Sequence, residues 1–140
     1  EVHRTLRPGG LFVAATVLEG TLGELASALE AVDGGPAPVG PFRSAGRVRE
    51  ALAHSGLAAA ECRPVPRIRR VADPLHVLHE LRGLGATAKG ARHPGGGGLG
   101  GRQRLQRLRA AYREATRTPT GPVPVTWNVA LLVAWKPTRS

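Results

Sequence analysis

Residues 123–135, Val-Pro-Val-Thr-Trp-Asn-Val-Ala-Leu-Leu-Val-Ala-Trp, constrain the fold more than any other stretch. Val123, Val125, Trp127, Val129, Leu131, Val133 and Trp135 fall on one face of an extended chain, and Ala130, Leu132 and Ala134 make the other face apolar too. A strand apolar on both sides belongs in the interior of a sheet. Ala58 to Val71 also reads as a strand, but Pro64 and Pro66 each lack an N–H, which confines it to an edge. Leu11 to Leu18 is apolar without alternation, as in a strand covered on both faces. The expected order is therefore first, third, second, with the third strand antiparallel to the second. The first strand is too apolar for a natural edge, so it should have a further neighbour supplied from upstream.

Helices fill the intervals. Glu1 to Leu6 reads as the last turns of a helix, and Arg7-Pro8-Gly9-Gly10 as a turn. Thr21-Leu22-Gly23-Glu24 has capping-box spacing and precedes Leu22, Leu25, Ala26, Leu29 and Val32 at helical intervals, stopping at Asp33-Gly34. Ser44 is placed to cap the next helix, with Val48, Ala51 and Leu52 inward and Gly56 as its stop. Asp73-Pro74 opens a helix carrying Leu75, Val77, Leu78, Leu81 and Leu84. From Arg102 to about Thr116 another helix places Leu105, Leu108, Tyr112 and Ala115 on one side. Arg102, Arg109, Arg113 and Arg117 fall on the other, either a solvated face or a docking face for an acidic protein. The two helices lie between the second and third strands, a natural place for a cap over a binding site.

Composition narrows the function. The net charge of +10 comes from Lys+Arg 20 against Asp+Glu 10, with Lys only at 89 and 136. Such a balance favours a polyanionic partner, although Arg, Ala, Gly and Pro rising together also fit a GC-rich coding sequence. Aromatic residues at 4% supply no stacking row, and no nucleic-acid motif is present. No run is apolar enough for a membrane span. Cys62 is alone, and His76 and His79 lack a third ligand nearby, so no metal is expected. Gly96-Gly97-Gly98-Leu99-Gly100-Gly101 matches the dinucleotide fingerprint literally but follows no strand, and reads as a linker. No Ser-His-Asp, Cys-His or paired-carboxylate set is evident. With Met 0 and no signal-peptide pattern at Glu1-Val2-His3-Arg4, the chain reads as a fragment.

Leu6-Arg7-Pro8-Gly9-Gly10 before an apolar strand resembles the approach to strand five of class I S-adenosylmethionine-dependent methyltransferases. Gly20-Thr21-Leu22-Gly23-Glu24-Leu25, Leu81-Arg82-Gly83-Leu84-Gly85-Ala86-Thr87, Leu105-Gln106-Arg107-Leu108 and Pro124-Val125-Thr126-Trp127 together resemble the C-terminal half of the malonyl-acyl-carrier-protein O-methyltransferases of biotin synthesis. The resemblance runs from Arg4 to Lys136. It implies a Rossmann-like α/β sheet with strands in the order 5-7-6, strand seven antiparallel. Residues 1–140 would form half of one domain, with a helical lid at 72–118 carrying a Gly-rich loop at 90–101. It further implies a cytoplasmic enzyme using S-adenosylmethionine, bound mainly by an N-terminal half absent here, so that this chain alone is inactive. The acceptor would be the free carboxylate of malonyl-acyl-carrier protein or malonyl-coenzyme A.

Carried onto this chain, the resemblance puts Thr16, Gly20, Thr21 and Leu22 at the substrate end of the first strand, where α/β sheets bind ligands. Leu81, Arg82, Gly85, Ala86 and Thr87 would form the lid wall, Arg82 orienting a carboxylate or the carrier's phosphate unless it is a plain surface arginine. Arg102, Arg109 and Arg113 would receive the acyl carrier protein. The alternatives are a methyltransferase for another small acceptor, and a basic interaction module without enzymatic activity.

Overall fold

The computed structural model describes residues 1–83 and 99–138. In chain order these form α1 (Val2–Thr5), β1 (Leu11–Val17), α2 (Gly23–Asp33), α3 (Ala45–Ala53), β2 (Ala58–Val71), α4 (Leu75–Gly83), α5 (Leu99–Ala115) and β3 (Val123–Trp135). The chain is a mixed α/β protein whose antiparallel sheet has the order β1-β3-β2. The long apolar strand is central and the proline-bearing strand lies at an edge, as the residues require. β1 pairs antiparallel with β3, from Leu11 opposite Trp135 to Val17 opposite Val129.

Two compact units divide the chain. One comprises Glu1–Thr21, Pro41–Arg67 and Trp127–Ser140, the other Leu22–Gly40 and Ile68–Thr126. In the first, Leu18, Leu52, Ala130 and Leu132 form the core, with Phe12, Ala14, Val48 and Cys62 packed around them. Leu52 is the buried anchor of α3, and burying a side chain of that size contributes about 2 kcal/mol. Ser44 caps α3 as expected, its Oγ accepting from the Arg47 amide at 3.3 Å. The helix ends earlier than expected, at Ala53 with His54 as cap; Gly56 (φ +76°) instead makes the left-handed turn into β2. In the second unit α2 packs on α5, and Leu25, Ala28, Leu108, Tyr112, Val123 and Val125 are buried.

Two expectations about burial change. The buried side of β3 is odd-numbered at Val123 and Val125 but even-numbered at Ala130, Leu132 and Ala134, because residues up to Thr126 serve the core of one unit and those from Trp127 the core of the other. Leu131 and Trp135, expected inside, are 46% and 41% exposed. β1 is likewise covered on one face only: Phe12 and Ala14 meet the core, whereas Leu11 and Val13 are open, Val13 at 64%.

Candidate functional site

The end of β1 is built by one polar residue in an apolar strand, Asn128. Its carbonyl accepts from the Leu18 amide at 2.7 Å and from Thr21 Oγ1 at 3.2 Å, while its own amide donates to Thr21 Oγ1 at 2.9 Å. Its side-chain Nδ2 donates to the Glu19 carbonyl at 3.0 Å. The chain can turn here because Gly20 adopts φ +85°; a Cβ at that position would sit 2.6 Å from Asn128 Nδ2. Leu22 follows at φ 56° as the N-cap of α2, held by its amide to the Thr126 carbonyl at 2.8 Å.

The capping box expected at Thr21 and Glu24 does not form. Thr21 is engaged by Asn128, and the Glu24 carboxylate accepts from the Thr126 amide (3.3 Å) and hydroxyl. The reason is competition: β3 offers backbone partners that cannot satisfy themselves inside a ladder, and the two side chains serve those instead of the helix start.

A concavity of ≈ 340 Å³ opens at this strand end, lined by Leu18, Glu19, Gly20, Ser44, Pro64 and Asn128 among others. Of the strand-end residues expected to face a substrate, Gly20 lines it. Thr16 is half-buried on β1, and Thr21 and Leu22 are each only 3% exposed. Asn128, which sequence reasoning missed, lines the same concavity. Its only signal was an amide interrupting an apolar strand. Such a lining can orient a ligand but offers no paired acid and base.

In the second unit, Arg109 grips Asp73 through three contacts of 2.6–3.1 Å, while Asp73 Oδ1 also accepts from the Leu75 amide at 3.0 Å at the start of α4. The Arg109 guanidinium, aided by that amide, lowers the Asp73 carboxyl to about 2. Arg113 donates to the carbonyls of Thr118 (3.3 Å) and Gly121 (2.9 Å), and Arg104 pairs with Asp33. Arg102 is exposed, and Arg117 lies past the helix end in the left-handed region at φ 51°. Tyr112, fully buried, donates to the Pro124 carbonyl at 2.9 Å; burial, then the nearby Glu24 charge, push its phenol well above the ordinary range. Leu81 is half-buried and Arg82 exposed in the last turn of α4. Gly85, Ala86 and Thr87, with most of the Gly-rich loop, lie outside the described residues.

Among the described residues no three His, Cys, Asp or Glu side chains are grouped to hold a metal ion, and no helix is long and apolar enough to cross a membrane.

No protein-family model matches the chain. Curated relatives do, among them several named malonyl-[acyl-carrier protein] O-methyltransferase. The chain is 41% identical over 133 residues to the malonyl-[acyl-carrier protein] O-methyltransferase of Hahella chejuensis, covering 95% of this chain and 46% of that protein. It is 34% identical over 141 residues to the enzyme of the same name from Laribacter hongkongensis, 98% of this chain and 44% of that one. The biotin biosynthesis bifunctional protein BioHC of Cellvibrio japonicus is 37% identical over 141 residues, matched over 26% of its length. The chain is thus a relative of the malonyl-[acyl-carrier protein] O-methyltransferases, and it spans about half the length of those it matches.

For the cofactor that the sequence resemblance carries, S-adenosylmethionine, the described residues do not fit. The glycine-bearing turn from a strand into a helix, β1 to α2, has its Leu18, Glu19, Thr21 and Leu22 amides all engaged by backbone carbonyls. None of those four amides is free to hold a nucleoside.

Proposed function

We propose that this chain is the acceptor-side, C-terminal half of an S-adenosylmethionine-dependent methyltransferase that esterifies the free carboxylate of malonyl-acyl-carrier protein, an early cytoplasmic step toward biotin. The observation that carries this is a match over 95–98% of the chain to two proteins of that name. β1, β3 and β2 are then strands five, seven and six, and residues 72–118 are the lid between six and seven. The exposed Leu11, Val13, Leu131 and Trp135 face is covered by the half that the relatives have beyond the matched region, and that half holds the cofactor.

The malonyl carboxylate is ionised at neutral pH, so it needs no general base to act as nucleophile. What the chain must supply is position, which falls to the strand-end concavity around Gly20 and Asn128. Arg82, exposed at the end of α4, is the candidate partner for the substrate carboxylate. Arg102 is the first of the docking arginines, with Arg109 and Arg113 contributing charge from their anchored positions.

The test is methyl transfer by the full-length protein that carries both halves, with malonyl-acyl-carrier protein, malonyl-coenzyme A and unrelated acids as acceptors, read by mass spectrometry. A methyl ester on the malonyl thioester supports the proposal. Faster methylation of another acid overturns the substrate assignment, and no transfer to any acid overturns the enzymatic reading. Arg82→Ala is expected to raise the apparent KM.

A further inference from the structure

A second concavity, ≈ 420 Å³, lies along the outer face of α3 and its approach, lined by Arg43, Arg47, Glu50, Ala51 and His54. Arg47, Glu50, Ala51 and His54 recur at helical spacing along α3 and Arg43 lies just before its cap, so two guanidiniums and an imidazole border one concavity. Arg47 contacts Glu50 at 3.2 Å, with side chains 71% and 56% exposed, a pair weak enough for a stronger anion to displace. His54 Nδ1 meets the Glu50 carbonyl at 2.7 Å, which turns Nε2 outward from that bond. This border adjoins the strand end directly. The Arg43 carbonyl accepts from the Glu19 amide at 3.0 Å, Leu18 and Arg43 form a parallel bridge, and Ser44 and Ala45, next in the chain, line the concavity at Gly20 and Asn128. A basic border thus leads into an apolar recess.

We propose that Arg43, Arg47 and His54 bind the phosphate of the acceptor's phosphopantetheine arm, so that the arm crosses Ser44 and Ala45 and its acyl end enters the strand-end concavity. This rests on the acceptor reading above and adds the place where the arm is held. A phosphodiester suits two arginines from different backbone positions, because its two free oxygens diverge from a tetrahedral centre and each can accept from a separate guanidinium. Glu50 is the opposing charge, which makes the assignment testable in both directions.

The experiment is an NMR titration of the encoded protein, following the His54 ring signals, with 4′-phosphopantetheine and with pantetheine. The phosphate compound is expected to bind at least about tenfold more tightly, as charge-assisted hydrogen bonds imply. Arg43→Ala with Arg47→Ala, both at exposed positions, is expected to abolish that preference, and Glu50→Gln to strengthen it. Equal affinity for the two compounds, or a preference that survives the double substitution, overturns the proposal. A protein that methylates malonyl thioesters without phosphate preference overturns this inference alone; one with the preference that methylates no acid overturns the functional reading alone.

Discussion

Thr21→Val tests the clamp that fixes the end of β1. The substitution keeps shape and branching and removes one hydroxyl, which is 3% exposed as part of its residue and has two partners on Asn128. The Asn128 carbonyl loses little, because Leu18 still donates to it at 2.7 Å. The Asn128 amide is different, since Thr21 Oγ1 is the partner it loses in a partly buried place. A net hydrogen bond is worth about 1 kcal/mol and an orphaned buried donor costs about 1–3, so the expected loss is about 2 kcal/mol. In urea unfolding followed by tryptophan fluorescence, with a slope of about 2 kcal/mol/M, the midpoint should fall by about 1 M with the slope unchanged. Thr21→Ser is the control: it keeps the hydroxyl and should cost only the buried methyl, about 1 kcal/mol. Amide exchange at Asn128 should accelerate in the valine variant and not in the serine one. A valine variant as stable as wild type, or a serine variant that loses more than the valine one, would refute the clamp.

Three further outcomes follow from the same fold. Asp73 holds its carboxyl at about 2 against the ordinary 3.8, chiefly through Arg109. A folded value below the unfolded one stabilises fully above about pH 4 and is lost as the pH falls toward 2. Arg109→Ala should move the Asp73 midpoint upward in a carbon-detected NMR titration, and an unmoved midpoint would reject the pairing. Gly20→Ala should destabilise by about 1–3 kcal/mol, because it combines a positive φ with a Cβ 2.6 Å from Asn128 Nδ2. Gly23→Ala, with nothing within 4 Å, should change stability by less than about 1 kcal/mol; equal effects at both sites would sink the contrast. Tyr112→Phe should cost about 1 kcal/mol by thermal or urea unfolding, and the wild-type phenol should stay un-ionised past the usual tyrosine range in an ultraviolet titration.

The parts of the fold that were legible share one property: their cause is local or compositional. Two prolines cannot donate within a ladder, so β2 had to be an edge; an apolar thirteen-residue run had to be central. The Ser44 cap was legible because its partner is three residues away. What failed to read is long-range. Thr21 and Glu24 have the spacing of a capping box, yet their partners lie 107 and 102 residues on, in β3, where no local pattern could point.

The arginines show the same limit in the candidate site. Helical period puts Arg102, Arg109 and Arg113 together on the outer side of α5, and on that evidence they are equivalent. In the fold they are not: Arg109 is committed to Asp73 and Arg113 to two loop carbonyls. Releasing either to meet a partner would break contacts already formed, so each acts on its surroundings as a field, screened within about 10 Å at ordinary salt. Arg43 and Arg47, which the sequence reading did not single out, line one concavity, and Ser44 and Ala45, between them in the chain, line the one at the strand end. A basic chain does not bind anions wherever it carries charge. An anion site needs a guanidinium with weak competition and a recess beside it, and Arg47 at the start of α3, paired only with an exposed Glu50, meets both conditions.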